Sequence, residues 1–153
     1  MKISEILKKE NILFDIEADS KFDLIGKLVD NIAQTKKLND RDKLYQEVLK
    51  REKIMSTGVG KGIALPHAKT NLTKDMMGAL VLLKEPIDFE SLDGELVNIV
   101  FLLIGSETNV GIHLRVLSKI SRLMSSDAFR SQLAECTNSD EIIALFVTYE
   151  DRM

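Results

Sequence analysis

Two histidines occur in this chain, and one of them, His67, sits in an unusual setting: Ser56-Thr57-Gly58-Val59-Gly60-Lys61-Gly62-Ile63-Ala64-Leu65-Pro66-His67-Ala68. Imidazole gains and loses a group near neutral pH more readily than any other side chain. Pro66 fixes its own φ and forces Leu65 into an extended conformation, so the residue that follows is presented stiffly. That combination reads as a nucleophile. On residue types alone, a histidine that closes a short strand and hydrogen-bonds to backbone fits the same position.

The three glycines upstream test against known phosphate-binding loops. A P-loop needs a glycine where Met55 stands and a Ser or Thr where Gly62 stands, so that reading fails. The dinucleotide fingerprint fails because Ile63 occupies the place of its third glycine. What survives is a flexible turn from Ser56 to Gly62 that exposes its backbone N–H groups and could bind an anion.

Arg51-Glu52, Ser56-Thr57-Gly58-Val59-Gly60, Gly62-Ile63-Ala64-Leu65-Pro66-His67, Ile87-Asp88-Phe89, Ser91-Leu92-Asp93-Gly94 and His113-Leu114 together resemble the EIIA components, fructose/mannitol type, of the bacterial phosphoenolpyruvate-dependent sugar phosphotransferase system, a group that includes nitrogen-regulatory paralogues. The resemblance runs nearly end to end and implies one EIIA domain over residues 1–153. It implies a phosphoryl group accepted on His67 from the carrier HPr and passed to an EIIB partner, with no cofactor and no metal. It also implies that His113 orients the acceptor ring or hydrogen-bonds to phosphate, and that Arg51 stabilises the phosphate. An apolar docking patch around the acceptor is implied as well, with Val59, Ile63 and Leu65 as candidates. The paralogues leave a second role open, in which the phosphorylation state of His67 governs binding to target proteins.

The residues themselves bear on these assignments. Val116, Leu117, Ile120 and Met124 share a helical face with His113, whereas Arg115, Lys119 and Arg122 fall opposite and read as a solvated row. His113 therefore opens an inward stripe, where a lone histidine is ordinarily a hydrogen-bonded core residue. Arg51 lies sixteen residues before His67. Its guanidinium could fork two phosphate oxygens, or simply favour the C-terminal end of a helix. Ser56 and Thr57 offer hydroxyls, and Gly58 lets backbone approach a phosphate closely, so Ser56, Thr57 and Gly58 are the candidate phosphate-binding loop. Lys61 departs from the Asn, Asp or Glu that the resemblance implies between its glycines.

The elements that position these residues follow from patterning. Ile3, Ile6 and Leu7 open a short helix, and Ile12 to Ile16 reads as a strand. Ser20 with Asp23 marks a helix start before Leu24, Ile25, Leu28, Val29, Ile32 and Ala33 recur at helical spacing. Asn39 or Asp40 caps a second helix that ends near Arg51-Glu52. Ala79 to Leu83 and Val97 to Ile104 are nearly all apolar, as in strands covered on both faces, with a turn at Asp93-Gly94 between them. Helices follow from about Gly111 to Met124, from Ser126 or Asp127, and after a cap at Ser139. The expected architecture is a three-layer single α/β domain with helices on both faces of a mainly buried sheet, mixed in strand direction as the resemblance implies.

Composition narrows the function class. The 153 residues, 44% hydrophobic, can bury a substantial core. Twenty-one basic against twenty-four acidic residues, net charge −3, argue against nucleic-acid binding. No apolar run approaches the about 18 residues that a membrane span requires, so no direct membrane insertion is expected, and a cytoplasmic location fits. The single cysteine, Cys136, cannot form an internal disulfide and reads as a small packing residue on a helix.

Overall fold

The computed structural model describes residues 1–153. In chain order it comprises α1 (Ile3–Ile6), a 3-10 turn (Lys9–Asn11), β1 (Ile12–Ile16), α2 (Lys21–Thr35), α3 (Arg41–Ile54), β2 (Gly58–Gly60), β3 (Ile63–Ala64), β4 (His67–Thr70), β5 (Met77–Ile87), β6 (Val97–Ser106), α4 (Val110–Met124), α5 (Asp127–Glu135) and α6 (Ser139–Glu150). The sheet order is β1-β5-β6-β3-β2, with β4 also paired to β6. β1 runs parallel to β5, β5 antiparallel to β6, and β3 and β4 parallel to β6, so the sheet is mixed.

Both faces of the sheet are covered. One carries α2 and α3, whose Leu24, Leu28, Ile32, Leu44 and Val48 pack on Ala64, Ala79, Val81, Val100 and Leu102. The other carries α1, α4, α5 and α6, whose Ile3, Val116, Ile120, Phe129 and Phe146 pack on Ile63, Leu80, Ile99, Phe101 and Leu103. Alternate residues of each strand serve opposite cores, which is why β6 is almost continuously apolar. Asp15 interrupts the alternation of β1: it takes φ +54 at a register shift, so that Phe14 and Ile16 serve opposite cores.

Local signals hold the helices where the patterning expects them, with small differences. Ser20 accepts the Asp23 N–H at 3.1 Å, and Asp40, not Asn39, caps α3 through the Lys43 N–H at 3.0 Å. Ser126 caps α5. The cap of α6 is Asn138 rather than Ser139: its extended backbone lets its side chain accept the Glu141 N–H, and Ser139 is already helical. Both long strands exceed their apolar cores, β5 reaching Ile87 and β6 reaching Ser106. Cys136 lies just past the end of α5, half-buried. No helix is long and apolar enough to cross a membrane.

The segment before His67 differs from expectation. Ser56 to Gly62 is not a loose turn but the start of a β2–β3 hairpin, and three of its N–H groups are bonded to neighbouring side chains. Thr57 N–H donates to Glu52, Gly58 N–H to Ser56 Oγ at 3.0 Å, and Lys61 N–H to Asp93 Oδ2 at 2.9 Å. Lys61 is held at φ +58 between Gly60 and Gly62, a left-handed position at which a side chain is strained. β3 and β4 are one strand in register, since Ala64 pairs Val100 and His67 pairs Leu103. Pro66, which has no N–H to donate, interrupts it while its carbonyl still accepts the Leu103 N–H at 3.0 Å, and on the opposite edge Leu65 N–H donates to Thr57 O at 2.9 Å.

Candidate functional site

That break delivers His67 as the first residue of β4. Its neighbours Ile63 and Leu65, of the same parity, face the α4 side of the sheet, and His67 and Lys69 follow them. The ring is half-buried, and its Nδ1 lies 2.9 Å from the carbonyl oxygen of Leu65. A carbonyl only accepts, so Nδ1 carries the proton and Nε2 keeps the lone pair. Nε2 makes no hydrogen bond within the chain.

His113 enters from the first turns of α4, the ring centroids of the two histidines lying 5.8 Å apart at 51°. It is 2% exposed, yet neither ring nitrogen has a hydrogen-bond partner. Buried polar atoms are rarely left so in native proteins, and each exception calls for a reason such as a water, an ion, strain or a catalytic role. The close approach depends on Gly105 of β6. Its position continues the inward series Ile99, Phe101, Leu103, and a Cβ there would sit 2.1 Å from His113 Nδ1. Gly105 is therefore what allows the imidazole to lie against the sheet.

Both histidines line one open cavity of about 590 Å³. β4 pairs only with β6 and so forms an edge at this level, around which the last turns of α3 bring Lys50, Arg51 and Ile54. Arg51 is half-buried and anchored by Nη1 donating to Met55 O at 2.8 Å, a cap on the helix C-terminus that leaves its other nitrogens free of protein partners. Lys69, Glu47, Glu107, Val110, Leu114 and Leu117 complete most of the lining.

Electrostatics keep both rings neutral. Burial is the main influence holding His67 below its ordinary value, reinforced by the charges of Arg51 and Lys69 and opposed by its bond to Leu65 and by Glu52. His113 is pushed down to about 4, mostly by burial and further by His67 and Lys69. At neutral pH the cavity thus presents a nucleophilic nitrogen and a neutral imidazole among three cations, Lys50, Arg51 and Lys69, and two carboxylates, Glu47 and Glu107.

The structure brings together His67, His113 and Arg51. It does not bring Ser56, Thr57 and Gly58 to them. Ser56 Oγ donates to Phe89 O and accepts from Gly58, the Thr57 hydroxyl donates to buried Glu52, and Gly58 packs so tightly that a Cβ would lie 2.2 Å from Ser91 Oγ. Their polarity is spent on building the hairpin. Of the expected docking residues, Ile63 and Leu65 are buried and Val59 alone is exposed. The apolar rim of the cavity comes instead from Ile54, 74% exposed, with Leu114 and Val110. In the row opposite His113, Arg115 and Arg122 are exposed, while Lys119 donates to Met1 O at 2.8 Å.

Lys69 and Gly105 escaped the sequence reading although a signal existed. Residues two apart on a strand share a face, which places Lys69 beside His67 and Gly105 beyond Leu103. The role of α3's exposed Ile54 had no such signal, because it depends on how the helix end meets the β4 edge.

Fold and site define a class: a three-layer α/β domain holding an oriented nucleophilic imidazole beside a second, neutral one in an open cavity that Arg51 and Lys69 share. Residues 5–148 match the model of the family described as phosphoenolpyruvate-dependent sugar phosphotransferase system, EIIA 2. The chain belongs to that family and is an EIIA-type phosphocarrier domain. It is 39% identical over 143 residues to the fructose-specific EIIABC component of Bacillus subtilis, covering 94% of this chain but only 22% of that protein's length. It is 32% identical to a nitrogen regulatory protein of Bradyrhizobium diazoefficiens over 95% of this chain and 94% of that one. Among solved structures, nitrogen regulatory protein IIA-Ntr from Neisseria meningitidis superposes with a TM-score of 0.89 at 32% identity, covering 94% of this chain and 98% of that chain. The IIA chain in a complex of mannitol enzyme IIA with phosphorylated enzyme IIB from Escherichia coli shares the fold, with a TM-score of 0.76 at 20% identity over 94% of this chain and 99% of that chain.

Proposed function

We propose that His67 Nε2 is the phosphoryl acceptor of this domain, charged by phospho-HPr and discharged to an EIIB component of a fructose-like transporter in the cytoplasm. The observation that carries the reading is the Nδ1–Leu65 bond, which leaves the Nε2 lone pair free in the cavity shared with Arg51 and His113. Nε2 attacks phosphorus, the new N–P bond forms as the donor's bond to phosphorus breaks, and the donor keeps that electron pair. Because Nδ1 already holds the ring's proton, no proton has to leave His67. Phosphoryl transfer has a loose transition state with its charge on the equatorial oxygens, so alignment and cations supply most of the catalysis. Arg51 and Lys69 offer charge, and the partnerless nitrogens of His113 offer a hydrogen bond to a phosphoryl oxygen. Ile54, Val110 and Leu114 form an apolar rim on which a partner protein can seat.

A second reading has its own support: likeness to nitrogen regulatory proteins extends over nearly the whole of both chains. In that reading phosphate on His67 adds charge at the rim and switches association with a target protein. Incubation with phosphoenolpyruvate, enzyme I and HPr should yield an acid-labile, base-stable adduct of one phosphate, absent in His67→Ala. A stable adduct on that variant would refute the site. Rapid discharge to a fructose-type EIIB supports the relay, and a label that no EIIB removes supports the switch.

A further inference from the structure

Glu52 adjoins Arg51 near the end of α3, but its side chain points the other way, into the protein, and is 2% exposed. A carboxylate taken out of water is costly unless every oxygen is engaged. Here both are. Oε2 accepts the Thr57 N–H at 2.9 Å and faces Lys21 Nζ, itself buried, at 3.3 Å, while Oε1 accepts the Thr57 hydroxyl. From Thr57 a run of hydrogen bonds leads to the imidazole: Thr57 O accepts Leu65 N–H at 2.9 Å, and Leu65 O accepts His67 Nδ1–H at 2.9 Å. Pro66 O accepts the Leu103 N–H at 3.0 Å and holds the strand to β6, while the Leu65 peptide faces the opposite edge, where it is held through Thr57, and Thr57 is held through Glu52.

We propose that Glu52 is a positioning residue for His67, which through Thr57 and Leu65 holds the imidazole in the one tautomer that leaves the Nε2 lone pair facing the cavity. The proposal rests on His67 being the acceptor but is tested apart from it. Glu52 touches neither the acceptor ring nor the cavity, and its pairing with Lys21 ties the α2 N-terminus, the α3 C-terminus and the hairpin into one support. Its negative charge also works against the effect of burial on His67.

The test reads the ring directly. In the 15N spectrum of the unphosphorylated protein above pH 7, His67 should show a protonated Nδ1 and an unprotonated Nε2. Glu52→Gln removes one acceptor and the charge, Thr57→Val removes the hydroxyl and keeps the Lys21 pair, and Lys21→Met with Glu52→Gln removes both charges should Lys21, left with Glu90 at 3.5 Å as its remaining partner, unfold the single variant. In each folded variant the Nε2–H tautomer should rise to a substantial population. A misplacement near 1 Å costs about 100-fold in rate, so kcat for phosphorylation by phospho-HPr should fall roughly 10- to 100-fold, with KM unchanged because the rim is untouched. Folded variants that keep the Nδ1–H tautomer and a kcat within about twofold of the parent, or that change only KM, would overturn the proposal. If the parent protein takes no phosphate, the proposed function fails, while the tautomer comparison still decides the role of Glu52.

Discussion

Gly105→Ala should disable the site without touching either histidine. The added Cβ would stand 2.1 Å from His113 Nδ1, 3.0 Å from its Cγ and 3.1 Å from its Cε1. Ordinary contact begins near 3.4 Å, so the ring has to withdraw by about 1.3 Å. β6 cannot yield instead, because it is paired with β5 on one side and with β3 and β4 on the other. Overpacking of this kind costs about 1–3 kcal/mol, a fall in melting temperature of roughly 2–4 °C per kcal/mol for a chain of this size. The functional loss should be larger in proportion. Displacing a positioned group by about 1 Å costs on the order of 100-fold, near 2.7 kcal/mol of transition-state stabilisation. Single-turnover phosphorylation by phospho-HPr measures it, alongside His113→Ala and the double variant. If the methyl acts only by evicting His113, the double variant should be no slower than His113→Ala, since truncation vacates the space the methyl needs. A Gly105→Ala protein that transfers at the parental rate, or two effects that simply add, would refute the account of how His113 is held.

Two further outcomes are expected. His113 is pushed down to about 4 in the folded protein against an ordinary 6.5, so below pH 6.5 the unfolded chain binds more protons. Its contribution to stability is therefore complete above about 6.5 and drains away as pH falls towards 4; NMR titration should find the ring neutral at pH 6, and a His113 midpoint near 6.5 would contradict the burial. Lys61, at φ +58 outside the cavity lining, sits where side chains other than Asn and Asp are strained, and Lys61→Gly should raise stability by about 1 kcal/mol in thermal unfolding with transfer rates unchanged.

How much of this was legible in the chain differs from element to element. Periodicity reached α2, α3, α4 and both long strands because each buries an apolar stripe or run written in nearby residues, while capping residues marked the starts of α5 and α6. The Pro-His pair pointed to His67, since proline's stiffness is a local property. The hairpin is not legible in sequence because its glycines look the same whether they expose N–H groups to an anion or admit Ser91 and Asp93 to close contact. Likewise, hydroxyls at Ser56 and Thr57 advertise binding in sequence, whereas their acceptors, Phe89 and Glu52, are identified only once the chain has folded.

Residue type and spacing alone thus pointed to the layered α/β architecture and the candidate nucleophile, because those rest on local conformational restriction and on the period of apolar residues, whereas the mixed strand direction followed from the family resemblance. Tertiary structure decided which His67 nitrogen is free, which imidazole is starved of partners, and which cations share the cavity. Those outcomes hang on a carbonyl two residues away, on a glycine in another strand and on a helix end carried round a sheet edge. Hydrogen bonds and burial act over ångströms, and only the packed fold brings residues from α3, β4, β6 and α4 within that range.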